Sequence, residues 1–456
     1  EKPMIKDAAL SPGSILVVLC TVALASLFAC TNSKSGASAD AAGLGGAADA
    51  SGNSATGGMT SAGGAIAIAG RMATGGSSGT SGVTAAGGSS VGGGNTGSGG
   101  VSFKTFPLGR LPLYSLAVDA SGNIWATSEI GYGTGAVSVF RFIPSSGIAS
   151  TFGVAGTSNA SGTKGSLAID ASGNVWLTTS GGTEVTDPST ALVELSPSGS
   201  ILNRFFNQGP MNPNPCPDQP CLQNPFSAPE SVAIDPSGNL WVTDDYGGSA
   251  YLTELTPAGS FVRTVAINGA SAPYVNYAAI DSAGDLWAID LNDVVVAKVN
   301  PSGLVSGPFA LPAGLQGATM KPAIDRNGNV WIATVGSFGS GSLVEISPSG
   351  SQLANVPMPS SGTADGIAID SANALWVMDN SNLTLWQFDT SGVVVNHFAN
   401  VPRSAGPTIG NNLVIDAGGS LWIAASAQDS TGMLIEAPGI AQGPQYFPYV
   451  GPEFPY

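Results

Sequence analysis

An aspartate stands six residues ahead of a tryptophan seven times in this chain: Asp119/Trp125, Asp170/Trp176, Asp235/Trp241, Asp281/Trp287, Asp325/Trp331, Asp370/Trp376 and Asp416/Trp422. The phrase around each pair is nearly constant, as in "IDASGNVWLTT" at 169–179 and "IDRNGNVWIAT" at 324–334. Successive tryptophans lie 51, 65, 46, 44, 45 and 46 residues apart. Self-similarity at such a period confines a chain to repeat architectures, in which each unit buries its apolar face against the next.

The residues around each pair say what the unit is. Alternating stretches such as "LAI" and "VAI" precede the aspartates and suit half-buried strands. The third residue after each aspartate is Gly122, Gly173, Gly238, Gly284, Gly328, Asn373 or Gly419. A tight hairpin needs a positive φ there, which glycine adopts best and asparagine next. The aspartate side chain is expected to accept hydrogen bonds from the turn amides. The large flat ring that follows suits packing between adjacent sheets. A second turn recurs further on, with Pro197, Pro257, Pro301 and Pro348 two residues ahead of Gly199, Gly259, Gly303 and Gly350. Each unit therefore reads as four strands. Seven such units predict an all-β, seven-bladed β-propeller of four-stranded blades, with an open array or β-helix as the alternative. Closure into a ring removes sheet edges. Either 101–109, "VSFKTFPLG", or the tail "PQYFPYVGPEFPY" would supply the last strand.

The repeat begins near residue 101, and what precedes it is of another kind. Lys2 and Lys6 are followed by the apolar run "ILVVLCTVALASLFAC" at 15–30, short for a bilayer span. A cationic start, short apolar core and small-residue end read as a secretory signal. Residues 31–100 are dominated by Gly, Ser, Ala and Thr and contain no aromatic residue. Such a stretch buries too little apolar surface to offset chain entropy and is expected to be a disordered tether. The predicted organisation is thus a signal over 1–30, a tether over 31–100 and the propeller over 101–456.

Composition removes several functions. The net charge is −16, with 14 Lys plus Arg against 30 Asp plus Glu. A nucleic-acid partner needs clustered cations, and so does an anionic lipid surface. One histidine, His397, excludes sites built on several histidines. Cys216 and Cys221 lie in an insertion between the second and third units, and an exported pair so spaced is expected to form a disulfide.

The candidate site lies on the face that varies between repeats, since a residue present in every blade serves every hairpin and cannot mark one place. Its acids include Glu129, Asp244, Asp245, Asp290, Asp379 and Asp429, and its aromatics include Tyr114, Tyr246 and Tyr277. Glu129, Asp244, Asp245, Tyr246, Asp290 and Asp379 form the binding set; solvated loop acids are the alternative. No cofactor is expected, although carboxylates at a channel mouth suit a divalent cation such as calcium or magnesium.

Asp-x-x-Gly-Asn-(Leu/Val)-Trp with a Pro-Ser-Gly turn resembles the NHL-type and virginiamycin B lyase-like (streptogramin lyase-like) propellers over residues 101–440. The lyase resemblance implies a metal-assisted ring-opening site that uses histidines on the central face. This chain offers only His397, in "VVVNHFAN", so those positions are not matched. "LFAC" at 27–30 resembles the bacterial lipoprotein signal, which implies cleavage before Cys30 and acylation of that cysteine. Thr31 and Asn32 after it imply export to the outer membrane or cell surface. The expected function is a lipid-anchored, extracytoplasmic, monomeric binding module for a protein, peptide or glycan. The alternative is a propeller lyase or hydrolase with a metal held by mouth carboxylates.

If Cys30 carries the anchor, Cys30→Ser should abolish metabolic acyl labelling and release the protein from membranes. Wild-type protein that is unlabelled and wholly in the soluble fraction would count against the anchor.

Overall fold

The computed structural model describes residues 81–84, 89–90, 101–109, 113–128, 136–155, 166–179, 191–206, 229–246, 249–267, 275–290, 295–312, 315–318, 322–336, 340–402, 413–426 and 432–444. The signal-like run with Cys30, most of the low-complexity stretch, Glu129, Asp429, Cys216 and Cys221 lie outside them.

The repeats form seven antiparallel sheets, with the strands of blades one to six in sequence order from the innermost outward. Blade two is typical: Leu167–Ile169, Val175–Thr179, Ala191–Leu195 and Ile201–Phe206. Each buried Trp packs against the following blade. Trp125 meets Leu167, Val175 and Leu177 of blade two, and Trp376 meets Leu413 and Leu421 of blade seven. Trp422 of blade seven shares a cluster with Leu116 and Ile124 of blade one, so the ring is closed.

The aspartate of each repeat joins the hairpin to this core. In blade one the Asp119 Oδ1 accepts the Ser121 and Asn123 amides, both at 2.9 Å. Its Oδ2 accepts the Trp125 indole N–H at 2.9 Å. The same indole-to-carboxylate bond joins Asp170 to Trp176, Asp235 to Trp241, Asp281 to Trp287, Asp370 to Trp376 and Asp416 to Trp422, at 2.8–3.2 Å. Blade five departs from it: Asp325 Oδ2 takes the Asn329 side-chain amide at 3.1 Å, and the buried Trp331 Nε1 has no acceptor. The expected positive φ is present, at +80° for Gly173 and +67° for Asn373.

The outer turn is fitted to its neighbour. Gly199 has φ +84°, and a Cβ there would lie 2.1 Å from the Phe152 ring of blade one. That ring stacks on Trp125 with centroids 5.8 Å apart. Conformation and space both call for glycine at this corner. Beside the tryptophan, blade five carries Asn329 bonded to Glu345, whereas blade four has Asp285 paired with Lys298 at 2.5 Å. The polar contact is kept, but an amide facing a carboxylate in blade five is a carboxylate facing an ammonium in blade four.

Ring closure falls to the N-terminal candidate. Lys104–Gly109 pairs antiparallel with Gly432–Ala437 and forms the outer strand of blade seven. The stretch after Ala437 runs across the turn face to blade six, where Ser371 N donates to Gly443 O and Asp370 bridges Pro444. Two pieces of the stretch expected to be a coil, Ser81–Thr84 and Ser89–Ser90, add fifth strands outside blades one and seven. An open blade edge presents unpaired N–H and C=O groups, which an extended segment can meet without apolar side chains.

Replacing Trp by Phe tests the indole bond directly. Trp287→Phe and Trp331→Phe remove similar volume, but only the first leaves a carboxylate without its indole donor. Urea unfolding should show Trp287→Phe less stable than Trp331→Phe by about 1.5–3 kcal/mol, the range for a hydrogen bond to a charged group. Equal losses would mean that the bond contributes nothing.

Candidate functional site: the variable face at the ring axis

Inner strands begin at the face opposite the repeated turns and run toward the aspartates. On that face Tyr114, second residue of Leu113–Val118 in blade one, reaches Tyr277 on Val275–Ile280 of blade four. Their hydroxyls are hydrogen-bonded to each other. Inner strands surround the axis and these two lie three blades apart, so the pair bridges the central channel. Tyr114 is only 3% exposed. The tyrosine pair thus spans the axis at this face.

The same strand ends are irregular. Register shifts occur between Leu113 and Leu116, Pro229 and Ser231, and Val275 and Tyr277, in blades one, three and four. Such bulges re-aim side chains and are frequent beside binding sites. Side-chain hydroxyls bond the backbone there: Thr127 Oγ1 accepts Ser115 N at 3.2 Å, and Thr243 Oγ1 accepts Ser231 N at 2.9 Å. Others tie neighbouring blades, with Leu167 N donating to Ser115 Oγ at 3.3 Å and Thr178 Oγ1 to Glu230 O at 3.0 Å. The extra residue in blade three is Glu230, half-buried at the rim.

Of the expected binding set, Asp244, Asp290 and Asp379 share one register, three residues after the tryptophan on the second strands of blades three, four and six. They are 1%, 1% and 0% exposed, which places them beneath the face. Asp245 and Tyr246 continue the second strand of blade three, Leu240–Tyr246. Asp379 holds two loops. Its Oδ1 accepts Thr363 N at 3.1 Å and Asn382 N at 3.0 Å, and its Oδ2 accepts the Asn382 side-chain amide at 2.8 Å.

Asp365, at the start of the inner strand of blade six, escaped the sequence reading. Its Oδ2 accepts the Thr363 hydroxyl and, at 2.9 Å, the Asn380 amide. Burial pushes its carboxyl above the ordinary aspartate range and the Asp379 charge adds to this, while the Thr363 and Asn380 bonds oppose it. A signal was available: Tyr114, Glu230 and Asp365 each stand five residues before the repeated aspartate of their blade.

Two further placements bear on chemistry. His397 is exposed on the outer strand of blade six and stacks on Trp386 with centroids 5.2 Å apart, away from the axis. Among the described residues no group of three or more His, Cys, Asp or Glu is arranged to hold a metal ion. Asp365 and Asp379 offer two neighbouring carboxylates, with Asp379 already occupied by protein donors.

No family model and no curated protein matches this chain. Solved structures do. A virginiamycin B lyase from Staphylococcus aureus aligns with a TM-score of 0.54 at 17% identity, covering 74% of this chain and 99% of its own. A catalytically inactive histidine-to-alanine form of virginiamycin B lyase from that organism, with quinupristin, gives 0.54 at 16% identity, covering 73% and 99%. A streptogramin B lyase gives 0.52 at 14% identity, covering 73% and 97%. At these identities the likeness is one of fold.

Asp379→Ala would leave buried amide donors unmet. It should lower stability by about 1–3 kcal/mol and speed amide exchange in residues 380–383 before the rest of blade six. Unchanged urea unfolding would mean that the loops are not held by this carboxylate.

Proposed function

We propose that the chain is a non-catalytic binding module whose ligand, a protein, peptide or glycan, rests on the variable face at the ring axis. The bridge between Tyr114 and Tyr277 carries this reading. It spans the axis and holds the half-buried Tyr277 in place, an aromatic ring with a polar tip suited to stacking and to polar contacts. The inner-strand bulges beside it support the same place. In this reading Glu129, Asp245 and Tyr246 belong to the binding face, and the buried Asp244, Asp290 and Asp379 support it from beneath. Asp379 contributes by shaping loops that a ligand would touch. The module would be held off an outer membrane by acylated Cys30 and the low-complexity stretch.

A second reading, propeller-borne hydrolysis or elimination, draws on Asp365, a carboxyl inclined to keep its proton beside another carboxylate. Asp379 is fully buried, which leaves one accessible carboxyl where acid–base chemistry uses two groups. The inactive histidine-to-alanine lyase is described as such for that protein. Here the single histidine stands on the outer rim. Both facts favour binding over lyase chemistry.

Screening the purified full-length chain against peptide and glycan arrays tests the proposal. A ligand so found should bind Tyr277→Phe about tenfold more weakly, a loss of about 1.4 kcal/mol. His397→Ala should bind like the parent. If Tyr277→Phe binds normally while Ser349→Arg on the turn face abolishes binding, the ligand uses the opposite face.

A further inference from the structure

Five non-glycine residues among those described have left-handed backbone: Ser360, Ser361, Asn373, Leu383 and Asn400. Asparagine tolerates that region, but serine and leucine do not favour it. Ser360, Ser361 and Leu383, with φ of 56°, 53° and 51°, all fall in two loops on the variable face of blade six. One loop joins the outer strand of blade five to the inner strand of blade six. The other joins Leu375–Asp379 to Thr384–Phe388. Strained backbone persists only where its surroundings hold it, and it concentrates at clamps and switches.

What holds these loops is a small polar network. Thr363 N donates to Asp379 Oδ1, and the Thr363 hydroxyl faces both Asp365 Oδ2 and, at 3.4 Å, Asp379 Oδ1. Ser381 N donates to that hydroxyl at 3.3 Å, and the Ser381 and Thr363 hydroxyls lie 3.1 Å apart. Gly362 presses on the carboxylate so closely that a Cβ would lie 1.9 Å from Asp379 Oδ2. A hydroxyl has one proton to donate. Two ionised carboxylates facing it compete for that proton and repel each other.

We propose that the two loops form a proton-operated latch, closed when Asp365 is protonated and loosened when it ionises. With Asp365 neutral, one negative charge remains; Thr363 N and the backbone and side-chain amides of Asn382 converge on Asp379, while Asn380 N stays on Asp365. With Asp365 ionised, a second charge appears in the same half-buried space. Asp379 is the charged group that faces Asp365 among the described residues. The hairpin contributes Asn380, Ser381 and Asn382. The adjoining strands Val330–Gly336 and Leu413–Ile415 carry no ionisable side chain. Burial raises the Asp365 carboxyl above its ordinary value. Folded Asp365 therefore holds its proton more tightly than the unfolded chain does. The stability it lends is fully present below the ordinary aspartate range and is lost as pH rises through the raised value. The latch goes beyond the binding reading and needs no ligand to test it.

Hydrogen exchange of the full-length chain from about pH 5 to about pH 8, corrected for intrinsic rates, tests the latch. Peptides covering 359–366 and 378–384 should lose protection by about tenfold as pH rises, while the second strand of blade three stays constant. Asp365→Asn should hold that protection level across the range. Thr363→Val, which lacks the shared proton, should be loose at every pH. Flat wild-type protection, an unchanged pH dependence in Asp365→Asn, or wild-type behaviour in Thr363→Val would each overturn the proposal.

Discussion

A buried indole N–H needs an acceptor, and this ring supplies one by a single repeated device. The carboxylate that folds the inner hairpin, through two backbone amides on Oδ1, turns its other oxygen to the tryptophan six residues on. The tryptophan then packs against the neighbouring blade. One side chain thus couples a local turn, the strand that follows and the contact between blades. Desolvating a carboxylate is costly unless its hydrogen bonds are met, and here turn and ring together meet them. The rest of the propeller is built outward from that junction, including the phenylalanine on Trp125 and the glycine turn on the phenylalanine.

The architecture was legible because the constraint is written once per blade. Asp–Trp spacing and the glycine or asparagine turn are local demands, so a single sequence reports them repeatedly. The indole bond itself was implied by the constant spacing of six but was not read from it. Blade five could not have been anticipated, since "IDRNGNVW" matches its neighbours and blade one keeps its indole bond although Asn123 shares the same carboxylate oxygen. Which segment closed the ring was ambiguous because both ends carry strand-like residues. Pairing across the whole length of a chain leaves no local trace.

The binding face was legible only as a face. Asp244, Asp290 and Asp379 were found as acids that vary between repeats, yet burial depends on the side of the sheet and on the depth of the strand end. Asp379 lies inside because a serine-rich loop from blade five closes over it. Tyr114 and Tyr277 stood among the aromatics of this face, but their meeting across the axis depends on ring diameter, which no local pattern encodes. Asp365 sits in "ADGIAID" and draws its character from Thr363 and from a carboxylate fourteen residues away. Such properties arise between elements and appear only after folding.

Lys104 and Glu436 are ion-paired at 3.1 Å although 332 residues separate them. Until that pairing forms, two complementary edges exist at opposite ends of a growing chain. The Lys104–Gly109 segment emerges ahead of the strands of blade one and waits through the synthesis of every blade for its partner Gly432–Ala437. Blades can fold pairwise in the meantime, because each core is shared only with a neighbour. The final step joins edges 332 residues apart, a separation whose loop-closure entropy disfavours early pairing. Before it, each open edge can accept the complementary edge of another copy. Assembly at high local concentration would therefore favour exchanged first strands and linked rings, and slow delivery of isolated chains would favour the closed monomer.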